Sequence, residues 1–460
     1  MGWAFASGFE SGSYAVNQEI GSVMLKRFCI ALVGISGMTL WSSAQSMSLQ
    51  EAARIAIDSN PEVQAARLEE QSRVHEIRFA EAGYYPKVDS LVGIGRENTR
   101  DLGDEHTDLT RKEAALTAEQ MLFDGHGTRE EVNRQKARQR SALYTEAATA
   151  DDITIRTANA YLTVLRENEL TLLAQETEKT HQSIYDQMQL REKSGVGSQA
   201  DLDQITGRLA LANTNVITSQ ANLLDAATKF QALVGVYPDV GNMQYPDLVL
   251  SLPNSLDEAV ALAIQTSPAL LSAKADVDAG RAQYEASKSP FWPRVTLEAE
   301  HSYSDDADGI KGDEDSTLVA LRMRYNLYRG GADSARKMQT ALLMNEAMEI
   351  RNDKQRKITE ELRYSWDAIQ AIQRQIPYLE QHVTASTATR EAYYKQFNIG
   401  RRTLLDLLNT ENELVDAKRA LIRAKYDRLV SEMSLLAGIG NLRPALAVDD
   451  AGKKPIEITN

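Results

Sequence analysis

The residues best placed to act on charged solutes lie in GRRTLLDLLNTENEL, residues 400–414. Asp406 and Asn409 are three positions apart, so on a helix they share one face, one turn from each other. Arg401 and Arg402 stand at the start of that helix, with Arg402 four residues before Asp406 at ion-pair spacing. Thr403 suits the N-cap, and Gly400 suits a turn after the helical stretch EAYYKQFNIG. Taken alone, Arg402 and Asp406 make an ordinary surface pair on a solvated helix start. Whether the stretch is more than that depends on what the rest of the chain builds.

Other chemistry is thin. The six histidines, among them His75, His126, His181, His301 and His382, show no HExxH or clustered spacing. No nucleophile elbow, P-loop or dinucleotide motif is present. The loop SDDADGIKGDED (304–315) sets Asp306, Asp308, Gly309 and Asp315 in partial calcium-loop register. Ser304 takes the first ligand position, the last is Asp, and the flanks read as strands, so we read a solvated loop. The sequence argues for neither an enzyme nor a metal or cofactor.

The organisation is a tandem duplication. SLQEAARIAIDSNP (48–61) matches SLDEAVALAIQTSP (255–268), and YYPKV (84–88) matches FWPRV (291–295), both at an offset of 207. MLFDG (121–125) and NLYRG (326–330), ITIRTANAYL (153–162) and ITEELRYSWD (358–367), and SGVGSQADLD (194–203) and IGRRTLLDLL (399–408) follow at 205. The stretch 400–414 therefore has a first-copy counterpart, built around Gly197 and Asp201. The first repeat spans 45–235, the second 255–440, with the proline-bearing linker 236–254 between them and a polar tail at 441–460.

Each copy orders its elements alike. Ser48 and Ser255 precede Glu51 and Glu258 by three, a capping-box spacing that starts a short helix. Pro61 and Pro268 open a second helix at N1. Strands are expected at about 87–98, 109–123, 294–303 and 316–328, joined by acidic loops at 99–108 and 304–315. Val88, Val92 and Ile94, then Ala114, Leu116, Ala118 and Leu122, hold apolar alternate positions in the first copy. Val295, Leu297 and Ala299, then Val319, Leu321, Met323, Tyr325 and Leu327, do so in the second. Amphipathic strands of about ten residues suit a membrane barrel with a wet interior; a pair of soluble hairpins, one face on a core, is the alternative, disfavoured by the signal peptide and the long helices. Long helices are expected at about 127–193 and 332–397, with return helices at about 199–234 and 403–437. Heptad-like seams run through Ile155, Ala158, Leu162, Leu165 and Leu172, through Ile153, Ala160 and Val164, and through Ile358, Leu362 and Ile369. Two seams on one helix mean neighbours on two sides, as in a ring of helices. Pro377 falls inside the second long helix, where it costs a hydrogen bond or a kink.

Composition agrees with long helices: 460 residues contain 11 prolines and 8 phenylalanines. A net charge of -14 offers no basic face for nucleic acid. From Met24, MLKRFCIALVGISGMTLWSSAQS reads as a bacterial signal peptide over 24–44, with a basic start, a short apolar core and Ser42-Ser43-Ala44 before cleavage. Residues 1–23 lack that pattern and read as lying upstream of the true start at Met24. The lone cysteine, Cys29, would leave with the signal, removing thiol chemistry and disulfides together.

The duplicated helix–strand–strand–helix–helix unit, with its NP and SP helix starts, YP and WP strand entries, LYRGG strand exit and GRRTLLDLL tip, resembles the TolC-type outer-membrane channel family over about residues 47–440. That resemblance implies an α+β membrane fold in a homotrimer. Each protomer would lend four strands to a twelve-stranded outer-membrane barrel, continued by a coiled-coil helical barrel in the periplasm. It implies a periplasmic adaptor and an inner-membrane ABC exporter or proton-driven pump as partners. It also implies a gate at the helix tips: Asp406 in a threefold ring, where mutual repulsion of the carboxylates would favour cations and raise their pKa, Arg402 tying neighbouring helix pairs, and Asp201 as acidic partner. Two departures stand out: Asn409 replaces a second acidic residue, and Phe397 replaces a tyrosine of the latch, leaving Arg401 as a substitute. The tip looks closest to members serving type I protein secretion; multidrug efflux is the alternative. A periplasmic coiled-coil scaffold without a pore is the reading from a different class.

Overall fold

The computed structural model describes residues 47–100, 106–248 and 250–448; the signal-peptide segment lies outside them. The duplication is visible element for element. In the first copy α1 (Leu49–Ser59) and α2 (Pro61–Glu81) lead to β1 (Lys87–Arg100) and β2 (His106–Phe123), then α3 (Gly127–Lys193) and α4 (Gln199–Val234). In the second, α5 (Leu256–Thr266) and α6 (Pro268–Ala286) lead to β3 (Arg294–Asp305) and β4 (Asp313–Arg324), then α7 (Ala332–Asn398) and α8 (Leu404–Ile439). Both long helices have 67 residues and both return helices 36. At 1.5 Å per residue the long helices reach about 100 Å.

Local chemistry sets the boundaries. Ser48 and Ser255 Oγ accept from the backbone N–H of Glu51 and Glu258, while Glu258 itself reaches back to Asn254 N–H rather than to the cap. Asn60 caps α2, with Pro61 at N1. Gly440 ends α8 in the left-handed region (φ +83°), hard against Pro268 and Thr266, where a side chain would clash. Residues 442–448, expected as the start of a polar tail, instead pack down. Helix α9 (Leu442–Ala445) and its exit bury Leu442, Leu446 and Val448, and Arg443 Nε donates to Asp151 of α3 at 2.6 Å. An apolar triplet and a partly buried ion pair outweigh the polar composition of the segment.

The strands form one antiparallel sheet in the order β1-β2-β3-β4. Its register collects the alternation onto two faces. Val88 lies opposite Ala118, which lies opposite Ala299, which lies opposite Val319; Leu297 pairs Leu321 and Val295 pairs Met323. The other face carries Glu97, Arg111, Glu113, Glu119, Arg294, Glu298, Arg322 and Arg324. Three expectations are corrected. A β-bulge between Met121 and Phe123 takes Leu122 out of the ladder, and Phe123 pairs Val295 in its place. The fourth strand ends at Arg324 rather than near 328, because β3 begins at Arg294 after Pro293 and offers no partner beyond that rung. The loops are shorter than expected, since Thr99↔Thr107 and Ser304↔Glu314 still pair.

Burial along the helices is uneven. Helix α3 is buried at intervals from Val132 to Met188 and packs on α2, α4, α6 and α8. Helix α7 has the same length yet buries only Thr340, Ile358, Leu362, Ile369, Ser386 and Phe397. The expected seam position Leu172 is exposed; Thr171, Leu173 and Ala174 are buried instead, the drift of a 3.6-residue turn against a seven-residue repeat. Pro377 remains inside α7. No helix among the described residues is long and apolar enough to cross a membrane.

The largest core joins α1, α3, α4, α8 and the linker around Tyr161 and Phe230, both fully buried. The Tyr161 hydroxyl lies 2.8 Å from the carbonyl oxygens of Met47 and Gln244 and accepts from Gln244 N–H at 3.1 Å. One side chain thus pins the leading segment and the inter-repeat linker to α3. Tyr161→Phe keeps the ring but removes these bonds, and should cost about 1–3 kcal/mol. A lower midpoint for heat-induced loss of helical circular dichroism would register it, and an unchanged midpoint would remove Tyr161 from this role.

Candidate functional site

The two helix turns, α3–α4 and α7–α8, come together at one end of the helical region. A small core holds them: Ile184 and Met188 from α3, Ile205 from α4, Phe397 from α7, and Leu404, Leu407 and Leu408 from α8. Each turn reverses through a left-handed glycine, Gly400 (φ +76°) and Gly195 (φ +72°). Gly197 is the glycine expected at the first turn, but Gly195 carries the reversal. Gly197 serves closeness: a Cβ there would sit 2.9 Å from Glu192 N, and its own N–H donates to Arg191 O at 3.0 Å.

Asp406 is built into the start of α8. Its N–H donates to Thr403 Oγ1 and its Oδ2 accepts from Thr403 N–H, both at 3.2 Å, a reciprocal capping box. Arg402 Nη1 is 3.9 Å from the same oxygen. The Thr403 hydrogen bonds, with Arg402 adding charge, hold the Asp406 carboxyl below the usual aspartate range. Within one protomer this is opposite to the upward shift expected of a ring. Asn409 lies one turn on and exposed, while Leu404, Leu407 and Leu408 bury the other face.

The expected latch residues part company. Arg402 does not meet Asp201 within the protomer. Its guanidinium stacks 4.2 Å from the Tyr393 ring centre and donates to Gln396 Oε1 at 3.2 Å, both on its own helix hairpin. Asp201 sits half-buried in the first turn of α4, which Ser198 caps through Ala200 N–H. Arg401 contributes its backbone N–H to Gln396 O at 2.8 Å, and its side chain is exposed, with no ion pair among the described residues. Phe397, by contrast, is buried, and sequence reasoning missed its partner. Arg191, in the last turn of α3, places its guanidinium 4.6 Å from the Phe397 ring centre and reaches the Phe397 carbonyl at 3.5 Å. Gln187 Nε2 donates to Tyr394 Oη at 3.0 Å beside it. A partly buried Arg390–Glu411 pair, with only the carboxylate fully enclosed, braces α7 against α8, and Lys418 Nζ bonds Glu176 across α8 and α3 at 3.0 Å. The available signal was positional: Arg191 and Gln396 correspond at the 205-residue offset, so the two tips differ there in charge.

Electrostatically, the tip offers one exposed row, Asp406 and Asn409, on a rigid helix start. Behind it, Arg191 stacked on the Phe397 ring ties the two hairpins. Such a row can select ions if copies of it face a common axis. It offers no nucleophile–base pair, and among the described residues no cluster of His, Cys, Asp or Glu could hold a metal.

Both repeats match the family profile described as outer membrane efflux protein, over residues 52–236 and 259–441. The chain is 24% identical over 439 residues to the outer membrane efflux protein BepC of Brucella suis, with 94% of each chain covered. It is 24% identical over 426 residues to the alkaline protease secretion protein AprF of Pseudomonas aeruginosa, covering 88% of this chain and 87% of that one. Its fold superposes on the crystal structure of the outer membrane protein VceC of Vibrio cholerae with a TM-score of 0.75 at 18% identity, covering 85% of this chain and 96% of that one. Family and fold are those of channel proteins, located in the outer membrane with their helices in the periplasm. The chain belongs to the outer membrane efflux protein family and is a TolC-type outer-membrane efflux channel.

Proposed function

We propose that this channel is the exit duct of a type I protein secretion system, working as a homotrimer with a periplasmic adaptor and an inner-membrane ABC exporter. The observation that carries the duct is the sheet: four strands with one continuous apolar face, one charged face and, among the described residues, both outer edges unpaired. An open edge is not tolerated in lipid, so further copies must supply the missing partners. Uneven burial supports the same closure. By internal repeat α7 should be as enclosed as α3, and the neighbours it lacks are those an adjacent protomer would bring. The named role of AprF in protease secretion supports the secretion route. A second reading, drug efflux through a proton-driven pump, is favoured by the efflux name of BepC. Deleting the gene separates them: loss of a large secreted protein from the medium with unchanged drug susceptibility supports secretion, and the reverse pattern sinks it.

In this proposal the tips form the periplasmic gate. Asp406 and Asn409 line the constriction, and Arg191 on Phe397 closes the latch left incomplete by the absence of a tyrosine hydroxyl. Arg402, Arg401 and Asp201 remain available for contacts between protomers. Arg191→Ala should raise single-channel conductance or open probability in planar bilayers, since it removes a cation–π contact and a charged hydrogen bond together. Traces identical to wild type would take Arg191 out of the latch.

Asp406→Asn keeps an acceptor for the Thr403 N–H while removing the charge, so it should reduce cation preference without fraying α8. Acid titration adds a sign test. If the helix cap governs Asp406, its folded pKa is depressed, and cation preference should persist until pH falls below the ordinary aspartate range. If three carboxylates crowd the pore, preference should fade above that range. Reversal potentials measured in a salt gradient across the pH series distinguish the two.

A further inference from the structure

At the sheet end remote from the helices, the β3–β4 connection (residues 306–312) does not project freely outward. Asp308 Oδ1 accepts from Arg111 Nη1 at 2.8 Å, and Asp308 N–H donates to Glu97 Oε2 at 3.2 Å. Arg111 also bonds Glu113 Oε2 at 2.9 Å and Glu97 Oε2 at 3.3 Å. Strand alternation puts Glu97, Arg111 and Glu113 on the charged face, opposite the face of Val92 and Ile94. The loop therefore folds back over the polar face. Its backbone is shaped for this: Asp306, Asp308 and Gly309 are all left-handed, at φ of 54°, 55° and 77°. Asp306 N–H donates to Gly312 O at 2.9 Å, Gly312 N–H returns a bond to Asp306 Oδ1 at 3.0 Å, and Gly309 packs against Thr99 of the first hairpin.

We infer that loop 306–312 is a strap drawn inward across the extracellular mouth of the barrel, with Arg111 as the residue that holds it. The inference rests on reading the charged face as the water-filled interior. The helices leave the sheet at the opposite end, so the strap lies at the outer mouth, far from the tip gate. An isolated exposed ion pair would restrain a loop weakly. Here one guanidinium gathers two strand carboxylates and the loop carboxylate, while the loop backbone is separately bonded to Glu97. Three straps around a closed barrel narrow one opening. The tie is exposed enough for salt or a passing polypeptide to release it. The arrangement suits an exit that must yield to outgoing cargo yet restrict bulky solutes coming inward.

The test uses the full-length channel, with Cys29→Ser and Ser302→Cys leaving one thiol. Ser302 pairs Ala115 on the polar face, two rungs inward of Ser304, which pairs Glu113. Intact cells are treated from outside with either a small methanethiosulfonate or a polyethylene-glycol maleimide of several kilodaltons. With the strap in place, the small reagent should label quickly and the polymer slowly. Arg111→Ala, and separately Asp308→Asn on the exposed loop, should each speed polymer labelling by roughly tenfold while leaving the small reagent unchanged. High salt should speed polymer labelling in the parent but not in Arg111→Ala. Equal polymer rates in parent and both variants would overturn the strap. Failure of even the small reagent would instead overturn the interior reading, and the strap with it.

Discussion

An unpaired strand edge has no stable place in a lipid bilayer, and this constraint governs the rest of the molecule. Backbone N–H and C=O groups left open in hydrocarbon cost several kcal/mol each. Among the described residues β1 and β4 each leave one side without a partner, and their apolar face is turned away from a charged one. The sheet is therefore one sector of a larger closed object, and its charged face needs water behind it. Helices α3 and α7 continue from that sector and inherit its incompleteness. Exposed apolar side chains such as Leu342, Ile350, Leu211 and Ile217 are the surfaces of a wall without its neighbours.

Duplication explains how one chain builds a nearly uniform wall. Two copies of a helix–hairpin–helix–helix unit, joined by a linker pinned through Tyr161, supply two adjacent sectors. The copies match in length to the residue in their long and return helices, because a barrel tolerates little mismatch in the height of its staves. They differ where an internal junction differs from an external one. α3 is covered on both sides within the chain, whereas α7 is covered mainly by its own repeat. The tips differ too, with Arg191 in one and Gln396 at the equivalent position in the other. That asymmetry lets α3 hold α7 inside a protomer.

Local and periodic features were legible in the sequence. The caps at Ser48, Ser255 and Thr403 depend on residues within three positions of each other. The prolines at 61 and 268 fix helix starts through their own rings, and strand alternation shows which face is apolar. Features set by distant neighbours were not legible. The end of β4 depends on where β3 lacks a rung, and the bulge at Leu122 depends on register with Val295. Gly195, not Gly197, bears the reversal, because glycine identity does not say which of two nearby glycines adopts positive φ. The Arg191–Phe397 contact joins residues 206 apart. Only the meeting of the two helix turns at the tip makes it, so no local pattern could announce it.

Asp406 shows how a proposed gate residue can carry the contacts of an ordinary helix start. The Thr403–Asp406 box satisfies backbone groups that any helix start must satisfy, and a solvated pair with Arg402 accompanies it. These contacts lower the proton affinity of the carboxyl and so keep it charged. Crowding by symmetry mates would act the other way. A carboxylate intended only as a cap has no need of an exposed row shared with Asn409, and one intended only as a ring charge has no need of a cap. In the proposed gate it would serve both, held rigid by its own helix while other carboxylates approach. The cap would then oppose the neutralisation that costs a charged constriction its selectivity in acid.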